Sequence, residues 1–369
     1  MSSPCSLKLG IERLLSKDIS LLAHQRIGLL AHQASVTSQG DHALEVLIHS
    51  QDKYKITTLF GPEHGFKTQA QDMEPVSSSQ TNNDLPLYSL YGGTLASLKP
   101  TLKMLRDIDV LVIDLQDIGT RYYTYLWTTL LCMEACAASH KKVIVCDRPN
   151  PINGVTQEGP GIDHGFESFV GLHSIPVRHG KTIGELAEQL NKEKKIGCHL
   201  TVIPLEGWNR KHFLDETGLP WIHPSPNMRS VDAALLYPGM CLLEATNVSE
   251  GRGTDTPFEV FGAPYIKADL IAKKFETLKP AGISFEPCAF TPTRQKWCGE
   301  KCQGLKWTIQ DRASLKPYQL GLTLIETLYQ LYNGKGFEWR KEPYEFVSHI
   351  PAIDLLTGSD RFRKDLEKK

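Results

Sequence analysis

Glu63 and His64 stand side by side in a loop that the residues around them force into a sharp turn. Residues 55–66 read KITTLFGPEHGF, a β-branched and apolar run halted by Gly61-Pro62 and released by Gly65. A short apolar run bounded by such breakers predicts a buried strand. A carboxylate at the carboxyl end of that strand is a candidate general acid or base, because open α/β sheets gather their ligands along that edge. His64 is a candidate to orient Glu63 or to relay a proton. A helix cap or a surface ion pair would use the same two residue types, and this loop alone does not choose between the roles.

Further polar residues sit where other strands should end. Asp114, Asp117, Arg121 and Tyr122 lie in IDLQDIGTRYYTY, and Asp147, Arg148, Asn150 and Asn153 lie in CDRPNPING. One reading is an Asp–Arg lattice that holds Pro- and Gly-rich loops rigid. Planar amide and guanidinium donors also suit sugar hydroxyls and carboxylates, and Tyr122, Tyr123, Tyr125 and Trp127 add aromatic surface that could stack on sugar rings. Later in the chain LEATNVSEGRGTDTPF carries Glu244, Asn247, Glu250, Arg252 and Asp255, and PSPNMR carries Asn227. Both stretches are too polar and glycine- or proline-rich for core elements, so each is a surface loop or part of a site.

The elements that must carry these loops follow from the apolar pattern. Strands are expected at 26–31, 55–60, 87–90, 110–114, 142–147 and 198–203. Helices are expected at 11–22, at 43–50 with Asp41 as N-cap, at 98–106, at 125–139, and at 183–191 with Thr182 as cap. Continuous apolar strands separated by helices predict a parallel sheet covered on both faces, an α/β domain. Right-handed crossovers then bring the loops after the strands to one edge. Residues 68–86 form a long polar excursion, a length usually kept for function or mobility. The composition changes after Gly207-Trp208, and GLPWIHPSPNMRS reads as a connection, so the domains are expected at 1–218 and 219–369. The second is smaller and of α+β type, with helices at 268–274 and 319–331. Loops from both would line an interdomain cleft, a preferred place for small ligands.

Several function classes are set aside. The first strand is followed by HQASVTSQG rather than by G-x-G-x-x-G, and no P-loop, nucleophile elbow or H-E-x-x-H motif occurs. No cofactor and no metal are expected; Cys298 and Cys302 are one pair, short of a zinc site. A net charge of −1 supplies no field for nucleic acid. The nine cysteines are odd in number and scattered, unlike a disulfide framework. No window reaches the length of a membrane span, and the N-terminus lacks the apolar core of a signal peptide. A cytoplasmic location is therefore expected, or a secreted or periplasmic one if a leader has been removed.

Taken together, GPEHGF, DLQDIGTRYYTY, DRPNPING, SFVGLHSIPVRHGKTIGELA, GWNR, PSPNMRS and YPGMCLLEATNVSEGRGTDTPFEVFGAPYI resemble the NamZ-type exo-β-N-acetylmuramidases. The matches run in the family's order from about Ile27 to Ile266, with Ala245 where the family pattern has glycine. The resemblance implies a Rossmann-like catalytic domain, a smaller C-terminal domain and a site in the cleft between them. It implies release of β-1,4-linked N-acetylmuramic acid from the non-reducing end of peptidoglycan fragments, with Glu63 as the leading catalytic residue. Glycoside hydrolysis usually uses two carboxyl groups, ~5–5.5 Å apart for retention and ~6.5–9.5 Å apart for inversion. Glu63 is then the general acid, and Glu244, Glu250 or Asp114 its partner, unless the substrate's own acetamido group takes that part. The lactyl carboxylate would suit Arg121, Arg148 or Arg252, and Asn150, Asn153, Asn227 and Asn247 could read hydroxyl and acetamido groups. A muropeptide-binding protein without activity, and a transferase on the same kind of sheet, are the alternatives.

Overall fold

The computed structural model of the chain describes residues 7–50, 52–71, 73–80 and 85–368. It divides into two compact units. The first comprises 1–119, 123–155 and 180–226, and the second 120–122, 156–179 and 227–369. The boundary expected at 218/219 treats each domain as one continuous stretch. In the folded chain the connection rich in proline stays with the first unit as far as Pro226, and the segment 156–179 belongs with the second.

The first unit opens with helix α1 (Gly10–Ser16) and a separate 3-10 turn, Ile19–Leu22, where one helix was expected. The polar run Ser16-Lys17-Asp18 interrupts the apolar face, and α1 ends at Lys17. Then come β1 (Arg26–Ala31), α2 (Ala43–Ile48), β2 (Lys55–Gly61), β3 (Ser79–Gln80), β4 (Pro86–Ser89), β5 (Val110–Asp114), α3 (Tyr125–Ala138), β6 (Lys142–Cys146), α4 (Ile183–Glu193) and β7 (His199–Ile203). Helix α2 is capped by His42, whose Nδ1 accepts from the Leu44 N–H at 3.1 Å, while Asp41 gives its carbonyl to Thr37. The helix expected at 98–106 is absent. Pro100 forces Lys99 into extended backbone (φ −115°, ψ 131°), leaving only a 3-10 turn at Leu95–Leu98.

The sheet has the strand order β3-β4-β2-β1-β5-β6-β7, parallel throughout except for the β3–β4 pair. Strands β1, β5 and β6 are buried along almost their whole length, which explains why they read as unbroken apolar runs. The order places β1 at the point where the connections reverse: β2 and β4 are laid down on one side of it, β5 to β7 on the other. In open α/β sheets this switch point opens a crevice at the strand ends.

The second unit contains α5 (Val231–Met240), β8 (Val260–Ala263), α6 (Ala268–Leu278), β9 (Ile283–Phe290), β10 (Cys302–Ile309), α7 (Pro317–Tyr332), α8 (Ala352–Thr357) and α9 (Arg361–Glu367). Its sheet is antiparallel, ordered β8-β10-β9, with α6 packed against β9 and β10. Gly239 and Gly321 let the backbones of α5 and α7 touch, since a Cβ on either would run into the other helix. No helix among the described residues is long and apolar enough to cross a membrane.

Candidate active site

Strand β2 delivers Glu63 to the carboxyl edge through a turn that tolerates no side chain at Gly61, where a Cβ would lie 2.7 Å from the Phe66 nitrogen. His64 (φ 68°) and Gly65 (φ 80°) then adopt left-handed backbone. For a non-glycine residue that conformation is strained, and it persists where the surroundings over-determine it. Glu63 ends up 4% exposed. Its Oε2 accepts from the Thr124 hydroxyl at 2.7 Å, and its Oε1 accepts from the Met73 N–H at 3.2 Å. No cation among the described residues pairs with it. His64 is buried beside it, but the Nδ1 of its ring lies 3.0 Å from the Ala70 carbonyl, so His64 braces the excursion instead of bonding to Glu63. A cavity of about 780 Å³ opens along this loop, lined by His64, Phe66, Lys67, Val76 and Leu87 among others.

The Glu63–Thr124 bond runs from the end of β2 to the start of α3, the helix that follows β5, and so spans the end of β1 between them. His32, the residue after β1, lies in that crevice and is fully buried. Its Nε2 accepts from the Gln116 N–H at 3.0 Å, which leaves the proton on Nδ1, 3.3 Å from the Pro224 carbonyl. Burial first, and then the charge of Arg148, hold His32 well below its ordinary pKa, so it stays neutral. The Tyr125 hydroxyl donates to the same Pro224 carbonyl at 2.6 Å and lies 3.4 Å from the Glu63 carbonyl. The two side chains meet edge to face, with ring centroids 4.8 Å apart, and clasp the connection over the switch point.

The neighbouring loops are held by a lattice. Asp114 at the end of β5 is fully buried and takes two hydrogen bonds from Arg148, Nε to Oδ1 at 2.6 Å and Nη2 to Oδ2 at 2.7 Å. Arg148 also donates to the Val36 carbonyl at 2.8 Å, tying the β1, β5 and β6 loops together. Asp147 accepts from the Thr182 hydroxyl at 2.7 Å and the Gly184 N–H at 2.9 Å. Burial nevertheless outweighs these bonds and pushes its carboxyl up to about 6. Asn150 accepts from the Ile152 N–H and donates to the Lys181 carbonyl, and Asn153 (φ 70°) accepts from the Val155 N–H. Asn153 shapes its own loop, and Asn150 also ties that loop to the segment before α4.

In the second unit Arg121 is fully buried, and its guanidinium donates to the carbonyls of Pro160, Ile175 and Leu356. Tyr122 is buried against it, 5.4 Å from ring centroid to guanidinium. Asn227 is buried too. Glu244, Glu250 and Arg252 form one cluster. Arg252 Nη2 donates to Glu244 Oε1 at 2.6 Å, and its Nε lies 3.0 Å from Glu250 Oε1. The Tyr344 hydroxyl donates to Glu244 at 2.8 Å, and Lys296 donates to Glu250 at 2.9 Å. Burial alone would raise Glu250; Lys296 and Arg252 reverse this and hold it below the usual carboxylate range. Asn247 accepts from the Tyr265 hydroxyl at 2.8 Å and donates to the Gly336 carbonyl at 2.7 Å.

The first unit therefore brings Glu63 together with Thr124, Met73, His32 and Tyr125, while Asp114 and Arg148 are paired with each other. The aromatic residues Tyr122, Tyr123, Tyr125 and Trp127, considered above as stacking surface, are all buried in the interior. Thr124, Met73 and His32 were not singled out from the sequence. The available signal was a threonine at the start of a helix that follows a buried strand, a position on the same edge as Glu63. Among the described residues no three His, Cys, Asp or Glu side chains group as metal ligands do.

Residues 27–232 match the N-terminal domain of the exo-β-N-acetylmuramidase NamZ, and residues 235–369 match its C-terminal domain. The peptidoglycan β-N-acetylmuramidase NamZ of Bacillus subtilis is 41% identical over 359 residues, 97% of this chain and 84% of that protein. A crystal structure of a DUF1343 family protein from Bacteroides fragilis superposes with a TM-score of 0.88 at 33% identity, covering 99% of this chain and 92% of the other. A second such protein from the same organism gives 0.72 at 27% identity, covering 98% and 91%. The chain belongs to the NamZ family of exo-β-N-acetylmuramidases.

Proposed function

We propose that this protein is an exo-acting glycosidase that releases terminal β-1,4-linked N-acetylmuramic acid from peptidoglycan fragments, with Glu63 as the residue that protonates the departing sugar. The activity follows from membership of the family and from 41% identity to a peptidoglycan β-N-acetylmuramidase along nearly the whole chain. The observation that carries the role of Glu63 is its setting: a buried carboxylate at the switch point of the sheet, held by a hydroxyl and an amide and, among the described residues, by no cation. Asp114, a candidate second carboxylate on the same edge, is committed to Arg148 through both oxygens. Arg148 is thereby taken as well, and both belong to the framework of the loops.

In the reaction the proton on Glu63 passes to the glycosidic oxygen while the bond from C1 to that oxygen breaks, its electron pair staying with the leaving sugar. Water supplies the new hydroxyl at C1, and its remaining proton restores the enzyme to its starting state. The substrate is a peptidoglycan-derived glycan or muropeptide. Incubation with peptidoglycan oligosaccharides tests the reading: free N-acetylmuramic acid should accumulate from the first turnover. Release of disaccharides or longer internal fragments, or no release at all, would overturn it.

A further inference from the structure

Thr124 occupies the N-cap position of α3, where a threonine side chain normally accepts a hydrogen bond from an N–H of the first turn. Here it makes no such bond. Its backbone is already helical (φ −68°, ψ −12°), and its hydroxyl points instead to Glu63, donating to Oε2 at 2.7 Å. Thr124 is 5% exposed and Glu63 4%, so the bond is shielded from water. The helix gives up the cap that its first residue could supply, and the side chain serves a carboxylate 61 positions earlier in the chain.

We infer that Thr124 is the positioning residue of Glu63. The inference rests on the assignment of Glu63 above. A glutamate has three side-chain torsions, and at the end of a glycine-flanked turn little else fixes them. Thr124 Oγ1 is rigidly placed by the β-branched side chain and by the helix that begins at its Cα. Anchoring Oε2 sets the plane of the carboxyl group and turns Oε1 to a fixed bearing. Oε1 is also the weaker-held oxygen, bonded at 3.2 Å to the backbone N–H of Met73 in the excursion between β2 and β4. A hydroxyl suits the task in both halves of the cycle. It donates to Oε2 when Glu63 is ionised, and it keeps that bond when the proton rides on Oε1. Thr124 never touches the reacting atoms; it acts through Glu63.

The test uses Thr124→Val, which keeps the shape and removes the hydroxyl, and Thr124→Ser, which keeps the hydroxyl. Each is measured on the disaccharide of N-acetylmuramic acid β-1,4-linked to N-acetylglucosamine. The valine variant should lose about 10- to 100-fold in kcat with KM within twofold, and the serine variant should stay within about threefold of the parent. In a Glu63→Gln background Thr124→Val should cause no further loss, because its partner carboxylate is gone. The valine variant loses no helix cap but does lose a buried hydrogen bond, so all variants are compared at a temperature where each is fully folded. If the valine variant does not fold, Thr124→Ala set against Thr124→Ser makes the same comparison, both lacking the methyl group and only one keeping the hydroxyl. A valine or alanine variant with kcat within twofold of the parent overturns the inference. So does an equal loss in the Glu63→Gln background. If Glu63→Gln is itself fully active, the assignment of Glu63 fails, a result distinct from an inactive Glu63→Gln with a normal Thr124→Val.

Discussion

Glu63 in the first unit and the pair Glu244 and Glu250 in the second are buried to nearly the same degree, yet they are satisfied in opposite ways. Glu63 rests on a threonine hydroxyl and a backbone amide. Glu244 and Glu250 share Arg252, and Lys296 adds a second cation. A buried carboxylate neutralised by a guanidinium is committed, because protonating it would strand a buried positive charge. One held by neutral donors can take up a proton without stranding a buried cation. The difference supports the acid–base role proposed for Glu63 and a framework role for Glu244 and Glu250. Asp114 with Arg148 repeats the second arrangement two strands away from Glu63, across β1.

The sharpest break between the two kinds of site is Glu63→Gln. Turnover of a natural disaccharide should fall by about 10²–10⁴-fold, the range for loss of a general acid, while the melting temperature holds. Arg252→Met should do the reverse. It leaves two buried glutamates short of charge and should cost on the order of 3–5 kcal/mol of stability in chemical unfolding. Adding Glu244→Gln to Arg252→Met, which leaves the Lys296–Glu250 pair intact, should recover much of that loss; a double variant no more stable than the single one would contradict the frame reading. Arg148→Met should likewise destabilise by about 3–5 kcal/mol by orphaning Asp114, with activity tracking the folded fraction.

The smallest effect is a pH dependence at Asp147, where the bonds from Thr182 and Gly184 are neutral as they are at Glu63. Its folded value of about 6 lies above the ordinary aspartate value, so folding favours its neutral form. The stability this group contributes is fully present below about pH 4 and is lost as pH rises through about 6. Asp147→Asn, which keeps the acceptor for Gly184 and cannot ionise, should therefore exceed the parent in stability at pH 8 by on the order of 2–3 kcal/mol. The gap should close by pH 4. A gap independent of pH would show that Asp147 does not titrate in this way.

The strands were legible because buried parallel strands are apolar on both faces: 26–31 and 110–114 match β1 and β5 residue for residue. Local backbone chemistry explains the misses. Pro100 overrode the apolar pattern at 98–106, and the His42 ring took the N-cap of α2 that Asp41 was expected to supply. Glu63 was legible from a Gly-Pro stop after a strand. Its holder was not, because Thr124 reaches it only through the lateral order of β2, β1 and β5, which no local pattern encodes. The same holds for Asp114 and Arg148, 34 residues apart and joined by the β5–β6 pairing. Arg121 read as a ligand for a carboxylate; its carbonyl partners lie up to 235 residues away, and only the folded chain reveals it as a brace.

The most direct test of Glu63 as proton donor varies the leaving group. A sugar hydroxyl needs a proton as it departs, whereas nitrophenolate is stable enough to leave without one. Glu63→Gln should therefore lose about 10²–10⁴-fold in kcat/KM on the muramyl disaccharide and far less on p-nitrophenyl β-N-acetylmuramide. Equal losses on the two substrates, or full activity on the disaccharide, would contradict the account.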